Sequence, residues 1–497
     1  MPKSPGGALL SQLTINRGSP VPLYRQLEGA LRRLILDGTL EPGVKLPSTR
    51  ELAQELGVSR ITVKSVFEQL AAEGYVQART GAGTFVADGL DPDTAPRQRR
   101  PRHRPAPARI AISERARTIV ASQATARHGK TAAFRPGVPA LDLFPVRVWA
   151  RYMADAMGAQ DRRDLSYGQT HGNAALRSAI ARHLSDARAM EVDPGRIVIT
   201  AGAQQAFVLI AFVLLNAGDT VWYENPGHIA GRDVMRALGA NVVPVPVDDE
   251  GLDLAHAIAH HPLPALIFAT PSHQQPLGTT MSLARRLALL GHAQQTGAWI
   301  IEDDYDSEFR YRGRPLPALS ALDGDCRVFY VGTFSKSMFA AMRLGYVVVP
   351  PGMADVFARA RNLLGQSSSA VVEEAMARFM EDGRFVEHIR RMRRIYRSRR
   401  DVLHDSLRRY CAPWLAPQPT EAGMHMLAWL TRGLTDAAAH RALLSGGIES
   451  LPLSVYCQEP LDRSAIVLGF SGVNERRIPR LVQRMAERLA HAAPGTG

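Results

Sequence analysis

Residues 91–108 read DPDTAPRQRRPRHRPAPA, and this stretch sets the terms for everything around it. Alanine supplies its only aliphatic side chains, so no packed core can form there. Proline and arginine favour extended, polyproline-like backbone instead. The chain on either side must therefore fold as separate bodies, and 497 residues give ample length for two. We place a small domain at 1–90, a Pro/Arg-rich linker at 91–129 and a large domain at 130–497. Arg97, Arg99, Arg100, Arg102 and Arg104 lie in that linker. A solvated spacer and a set of contacts to DNA phosphates both fit its composition.

Lys and Arg number 60 against 47 Asp and Glu, a formal net charge of +13. Such an excess favours an anionic partner, nucleic acid or a membrane surface, and says nothing about fold. A spanning helix is not expected. The longest apolar run, Ala206–Leu215, falls short of the ~18 residues needed. Met1–Arg17 has no apolar core of signal-peptide length. The three cysteines, Cys326, Cys411 and Cys457, form no CxxC pair. Neither a zinc site nor a disulfide framework is expected, and a reduced, cytoplasmic setting fits.

The small domain shows three helical patterns and a hairpin. Leu23, Leu27, Ala30, Leu31, Leu34 and Ile35 recur at helical spacing after Pro22. Ser48 to Glu51 is a capping box, and Gly57 stops the helix it opens. A third helix starts near Ser59 and ends before Gly74, with Val63, Val66, Phe67 and Leu70 as its buried stripe. Tyr75–Val86 alternates around Gly81 and Gly83, the pattern of a hairpin wing. Two helices joined at Gly57 make a helix-turn-helix whose second helix enters the major groove of DNA. Arginine can bond guanine edges, and hydroxyls and lysine can hold phosphates. The candidates on the free face are Arg50, Ser59, Arg60, Thr62 and Lys64, with Thr80 and Gly81 on the wing. Periodicity alone leaves an ordinary charged helix equally open.

The segment LPSTRELAQELGVSRITVKSVFEQLAAEGYVQARTGAGTFV resembles the GntR family of winged-helix regulators over nearly its whole length. The resemblance implies the family's DNA contacts at Arg50, Ser59, Arg60, Thr62, Lys64, Thr80 and Gly81.

After the linker, short β-rich runs alternate with helical segments: 197–200, 220–224, 241–247, 266–270, 299–303, 328–332 and 344–349. That order argues for an α/β domain with a mainly parallel sheet covered on both faces. Three marks of a cofactor site lie on it. Ile197–Gln204 is a strand entering a helix at a small-residue turn, where backbone amides can approach a phosphate. Ile300–Asp306 is an apolar strand ending in acids. A carboxylate there can pair with a protonated pyridine nitrogen. Metal binding is the rival reading, but no histidine accompanies the acids in sequence. Gly332–Lys336 follows another strand, with Arg343 beyond it. Lys336 can form a Schiff base while Ser335 and Arg343 hold phosphate.

Residues 130–490 resemble fold-type I aminotransferases, carried by SYGQTHGNAALR, ITAGAQQA, TPSHQQPLG, IEDDYDSEFRY and GTFSK with RLGY. With the winged helix attached, the whole chain resembles the MocR subgroup of GntR regulators. The resemblance implies a seven-stranded mixed sheet, a small C-terminal α/β subdomain and bound pyridoxal 5'-phosphate. It makes Lys336 the Schiff-base lysine, Asp303 the pyridine partner, Tyr305 the partner of the ring hydroxyl and Arg343 a phosphate ligand. Gly202, Ala203 and Gln204 form the phosphate turn, with Ser335 beside it. His273 and Gln274 flank the ring. Tyr167 matches a residue that reaches the neighbouring subunit's cofactor, which implies a homodimer. Two positions depart from the pattern. His228 stands where a ring-stacking tyrosine is common. Val467 stands where aminotransferases place the arginine that clamps a substrate carboxylate. The expected function is thus a DNA-binding, cofactor-holding transcription regulator that answers to a small-molecule effector, with transamination slow or absent. The alternatives are a working aminotransferase that also binds DNA and a regulator with a vestigial pocket.

Overall fold

The computed structural model describes residues 13, 15–88, 112–122, 132–159, 169–313, 316–324, 327–365 and 368–492. The five linker arginines, Tyr167 and Cys326 lie outside the described residues. The chain divides into two compact units, Met1–Ala111 and Ile112–Gly497.

In the first unit, helix α1 (Leu23–Leu36) begins after Pro22 and buries Leu27, Ala30, Leu31 and Ile35. Helix α2 (Thr49–Leu56) starts at the capping box: Glu51 N–H donates to Ser48 Oγ at 3.2 Å, and Ser48 N–H donates to Glu51 Oε2 at 2.8 Å. Gly57 ends it at φ 61°, a left-handed conformation that a side chain would disfavour. Helix α3 (Arg60–Ala72) buries Val63, Val66, Phe67 and Leu70, the stripe read from the sequence. These residues pack on Leu27 and Leu31 in one small core. Strands β1 (Val76–Arg79) and β2 (Gly83–Val86) pair antiparallel as the wing.

The second unit opens with α4 (Glu114–Ala121), N-capped by Ser113, inside the stretch that composition assigned to the linker. Helices α5 (Val146–Gly158) and α6 (Ala174–Arg188) precede the sheet. Its elements follow as β3 (Ile197–Thr200), α7 (Ala203–Leu214), β4 (Thr220–Asn225), α8 (Ile229–Ala237), β5 (Asn241–Asp248), β6 (Gly251–Leu252) and α9 (Leu254–His260). Then come β7 (Leu266–Ala269), α10 (Leu283–Thr296), β8 (Trp299–Asp304), β9 (Val328–Thr333), α11 (Phe334–Ser337) and β10 (Gly345–Val348). The strand order is β3-β10-β9-β8-β7-β4-β5-β6. Seven of these strands are the expected mixed sheet, in which β10 runs antiparallel to β3 and β9. The eighth, β6, has two residues and pairs antiparallel on the β5 edge. Strands β3, β7 and β10 are buried along their whole length, as strands with helices on both faces must be.

Helices α12 (Ala354–Leu363), α13 (Ala370–Glu381) and the long α14 (Arg384–Tyr410) lead to the C-terminal subdomain. There β11 (Leu415–Pro417), β12 (His425–Leu430), β13 (Leu451–Pro452) and β14 (Ala465–Gly469) form an antiparallel sheet in the order β11-β12-β14-β13. Helices α15 (Asp436–Ser445) and α16 (Ile478–Ala492) complete it, α16 packing on both α14 and α15.

Candidate functional site

The carboxyl ends of the parallel strands β4, β7, β8 and β9, and of β3, which runs the same way beyond the antiparallel β10, open on one edge, where folds of this class hold ligands. A cleft of about 250 Å³ lies there. The turn after β3 supplies Gly202, Ala203 and Gln204. Gly202 caps α7 at φ 100° and packs so closely on Gly345 that a Cβ on Gly345 would lie 2.8 Å from the Gly202 Cα. Gly202 thus opens α7 beside the cleft, and the first amides of a helix, which have no partner within it, can hold a phosphate. Ser335 and Arg343 line the same end. Arg343 adopts φ 51°, a conformation that costs ~1–3 kcal/mol for a residue with a side chain and collects at binding sites.

Lys336 lines the cleft from α11 and donates from Nζ to the Gly137 carbonyl at 3.1 Å. Across from it, Asp303 is 2 % exposed at the end of β8. Among the described residues, neither of its carboxylate oxygens accepts a hydrogen bond. Burial, then the nearby Asp304, Glu224 and Asp306, push its carboxyl well above the usual range, against the pull of Lys336. His228 Nδ1 lies 3.4 Å from Asp303 Oδ2, and its ring lines the cleft at the start of α8. A buried carboxylate without hydrogen bonds is costly unless a donor arrives. A protonated ring nitrogen seated between Asp303 and Lys336 is such a donor. Pyridoxal 5'-phosphate fits this set: amides, Ser335 and Arg343 for its phosphate, Asp303 for its ring nitrogen, and an amine for its aldehyde.

Tyr305 also lines the cleft, and its hydroxyl and Asp306 Oδ1 each lie 3.0 Å from His273 Nδ1. His273 and Gln274, read as flanking the ring, lie one layer behind the residues that line the cleft. His273 is 2 % exposed behind Tyr305, and Gln274 is held by Glu224 and the Pro226 carbonyl. Gln275 faces the cleft instead. Sequence reasoning also missed His425 and Tyr456, which close the cleft from the C-terminal subdomain. Nothing local marks them; only tertiary packing brings them there. Burial lowers the His425 imidazole to about 4, so it is neutral. His273, Asp306 and His425 put their ligand atoms within 4.8 Å of one another, so the acids at the end of β8 do have histidines beside them in the fold. Val467 lies on β14, buried against Ile229, Leu427 and Tyr456, and Arg343 is the only arginine lining the cleft among the described residues.

On the first unit, Arg50, Ser59, Arg60, Lys64, Thr80 and Gly81 are exposed. Ser59 spends its hydroxyl on the cap of α3, accepting from Thr62 N–H at 3.1 Å, with Thr62 Oγ1 2.8 Å away. Lys64 pairs loosely with Glu68 at 3.5 Å. Ile61, passed over in the sequence, is 79 % exposed on the first turn of α3, where an apolar group can meet a thymine methyl.

Comparison with known proteins places both units. The family of bacterial regulatory proteins named gntR matches residues 23–86, and the aminotransferase class I and II family matches residues 137–483. The probable rhizopine catabolism regulatory protein MocR of Rhizobium meliloti is 38 % identical over 464 residues, covering 93 % of each chain. This chain belongs to the MocR subgroup of GntR-type regulators. Another MocR-type relative, the pyridoxine biosynthesis regulator PdxR of Corynebacterium glutamicum, is 33 % identical, covering 93 % of this chain and 95 % of its own. Among solved structures, the α-aminoadipate aminotransferase LysN of Thermus thermophilus matches with a TM-score of 0.70 at 25 % identity. That match covers 77 % of this chain and 97 % of LysN. No helix among the described residues is long and apolar enough to cross a membrane.

Proposed function

We propose that this MocR-type chain is a cytoplasmic transcription regulator that binds duplex operator DNA through α3 and the wing and holds pyridoxal 5'-phosphate in its cleft. The observation that carries the cofactor reading is Asp303, whose two buried oxygens accept no hydrogen bond among the described residues and which lines the same cleft as Lys336. Bound there, the cofactor supplies an aldehyde that joins amines reversibly. Gly202, Ala203, Gln204, Ser335 and Arg343 bind its phosphate, Tyr305 orients its ring hydroxyl and His228 covers its face. We take the working unit to be a homodimer, as the resemblance of SYGQTHGNAALR to the family implies.

Catalytic transamination is the weaker reading. Rapid turnover needs the substrate carboxylate clamped, and Val467 offers no charge for it. An α-amino acid would face Tyr456, Met424 and a neutral His425. The effector that fits best is therefore a form of the cofactor itself, in line with the name of the relative PdxR.

Borohydride treatment of the purified protein tests this. A visible absorbance band should vanish, and the cofactor should map to the Lys336 peptide. Lys336→Ala should retain little or none. Label on another lysine would overturn the site. Release of keto acid from added amino acids at rates typical of enzymes would restore the aminotransferase reading.

A further inference from the structure

A second cavity, of about 540 Å³, lies behind the strand that carries Asp303. Side chains alternate along a strand. Asp303 thus faces the cleft, while Asp304 faces the opposite side, where Ser307 Oγ donates to it at 2.9 Å and the Tyr330 hydroxyl also bonds it. Arg188 Nε pairs with Asp304 at 2.8 Å, so the charge on the cavity floor is already balanced. Nothing in the functional reading above uses this space.

We propose that this cavity is a second small-molecule site that takes an organic acid, a single carboxylate on a compact apolar body. The mouth carries Arg182, Arg390 and Arg393. Arg390 is exposed and forms no ion pair among the described residues. Arg182 reaches Glu381 only at 3.4 Å, on the surface. Arg393 is held in place by the Glu308 carbonyl, which accepts from Nε at 3.0 Å and Nη2 at 2.8 Å. Against the acids Asp186 and Glu381 on the same lining, these three guanidinium groups leave the mouth net positive, which favours an anion over an amine. The walls are Met380, Phe385 and Ile389, which suit an apolar body. At the inner end sit Tyr346 and Glu308. Burial and the neighbouring Asp304 push the Glu308 carboxyl up to about 8, so at neutral pH it is a hydrogen-bond donor and does not repel an acid. His183, held near 4 by burial, is neutral as well. The site thus presents charge at its mouth, apolar walls and uncharged donors within.

The test is isothermal titration of the full chain with benzoate, phenylacetate, 4-hydroxyphenylacetate and indole-3-acetate, each beside its amide. At least one acid should saturate one site per chain, with its amide about tenfold weaker or worse, the loss expected when a hydrogen bond to a charged group goes. Arg390→Glu and Val386→Trp change exposed positions at the mouth. Each should weaken the acid by about tenfold or more and leave the visible cofactor band unchanged. If Val386→Trp unfolds, Arg390→Glu decides alone. The proposal falls if no acid binds, if acid and amide bind alike, or if Arg390→Glu binds as the parent does. It also falls if added pyridoxal 5'-phosphate displaces the acid, which would put that acid in the cleft. A protein that takes up no cofactor still answers the titration, so failure of the cleft reading and failure of this one are distinguishable.

Discussion

Asp303 concentrates the chemistry of the cleft in one side chain. Its carboxyl is buried with no hydrogen bond among the described residues, His228 Nδ1 standing off at 3.4 Å, so a ligand that brings a donor gains twice, from its own bond and from relief of the burial. Asp303→Asn keeps the shape and removes the charge. It should weaken cofactor retention by about 1.5–3 kcal/mol, roughly ten- to hundredfold, read by dialysis and visible absorbance. Glu308 makes a separate prediction. Its folded value of about 8 stands above the ordinary 4.5, so the folded protein keeps a proton that the unfolded chain releases between those limits. The stability it lends is complete below about 4.5 and is lost as pH rises to about 8, by at most about 1.4 kcal/mol per pH unit. Glu224 and Glu302 titrate in the same range, so the slope of urea-unfolding stability between pH 5 and 8 should differ by that amount between the parent and Glu308→Gln. A slope unchanged in the variant would place the titration elsewhere. Lys336, Asp303, Ser335 and Arg343 were legible because each follows an apolar strand at the sheet's carboxyl edge. Gln275, His425 and Tyr456 were not. The first differs from Gln274 only in which way a loop turns, and the others arrive from a distant sheet.

At the level of elements, the helices of the first unit end where local chemistry says they must. Ser48 and Glu51 answer each other's amides, so Ser48→Ala should cost about 1 kcal/mol, measured as a lower denaturation midpoint of that unit. The strands were equally plain, since a strand buried on both faces has no polar alternation and reads as one apolar run. Some elements escaped, the two-residue strands and one helix among them. Strand β6 is two residues long, too short for any period. Helix α4 buries none of its own residues, so its sequence carries no apolar stripe; it is held by contact with α8 and by Ser122 Oγ, which donates to Asp233 at 2.7 Å. On α3, Arg60→Ala should cost ~1–3 kcal/mol for the operator and little for random DNA, by gel-shift titration. Equal losses on both would make Arg60 a phosphate contact.

For the whole molecule, the charge of +13 makes binding to DNA a salt-governed equilibrium. Affinity should fall linearly on a log–log plot against salt, and Lys64→Ala should lower that slope by about one if Lys64 meets a phosphate. The division into two units was legible from residues 91–108 alone, because composition forbids a core there.

Strand β8 carries two obligations at adjacent positions. Asp303 serves the cleft on one face, and Asp304 anchors Arg188 on the other. A strand that slips by one residue exchanges its faces completely. Inserting or deleting a single residue between Trp299 and Asp303 would turn each carboxylate to the opposite face, so that Asp303 would leave the cleft and Asp304 would leave Arg188. Lineages descended from this sequence can therefore change length freely in surface loops but not along β8, and its spacing should outlast even the identity of the apolar residues that fill it.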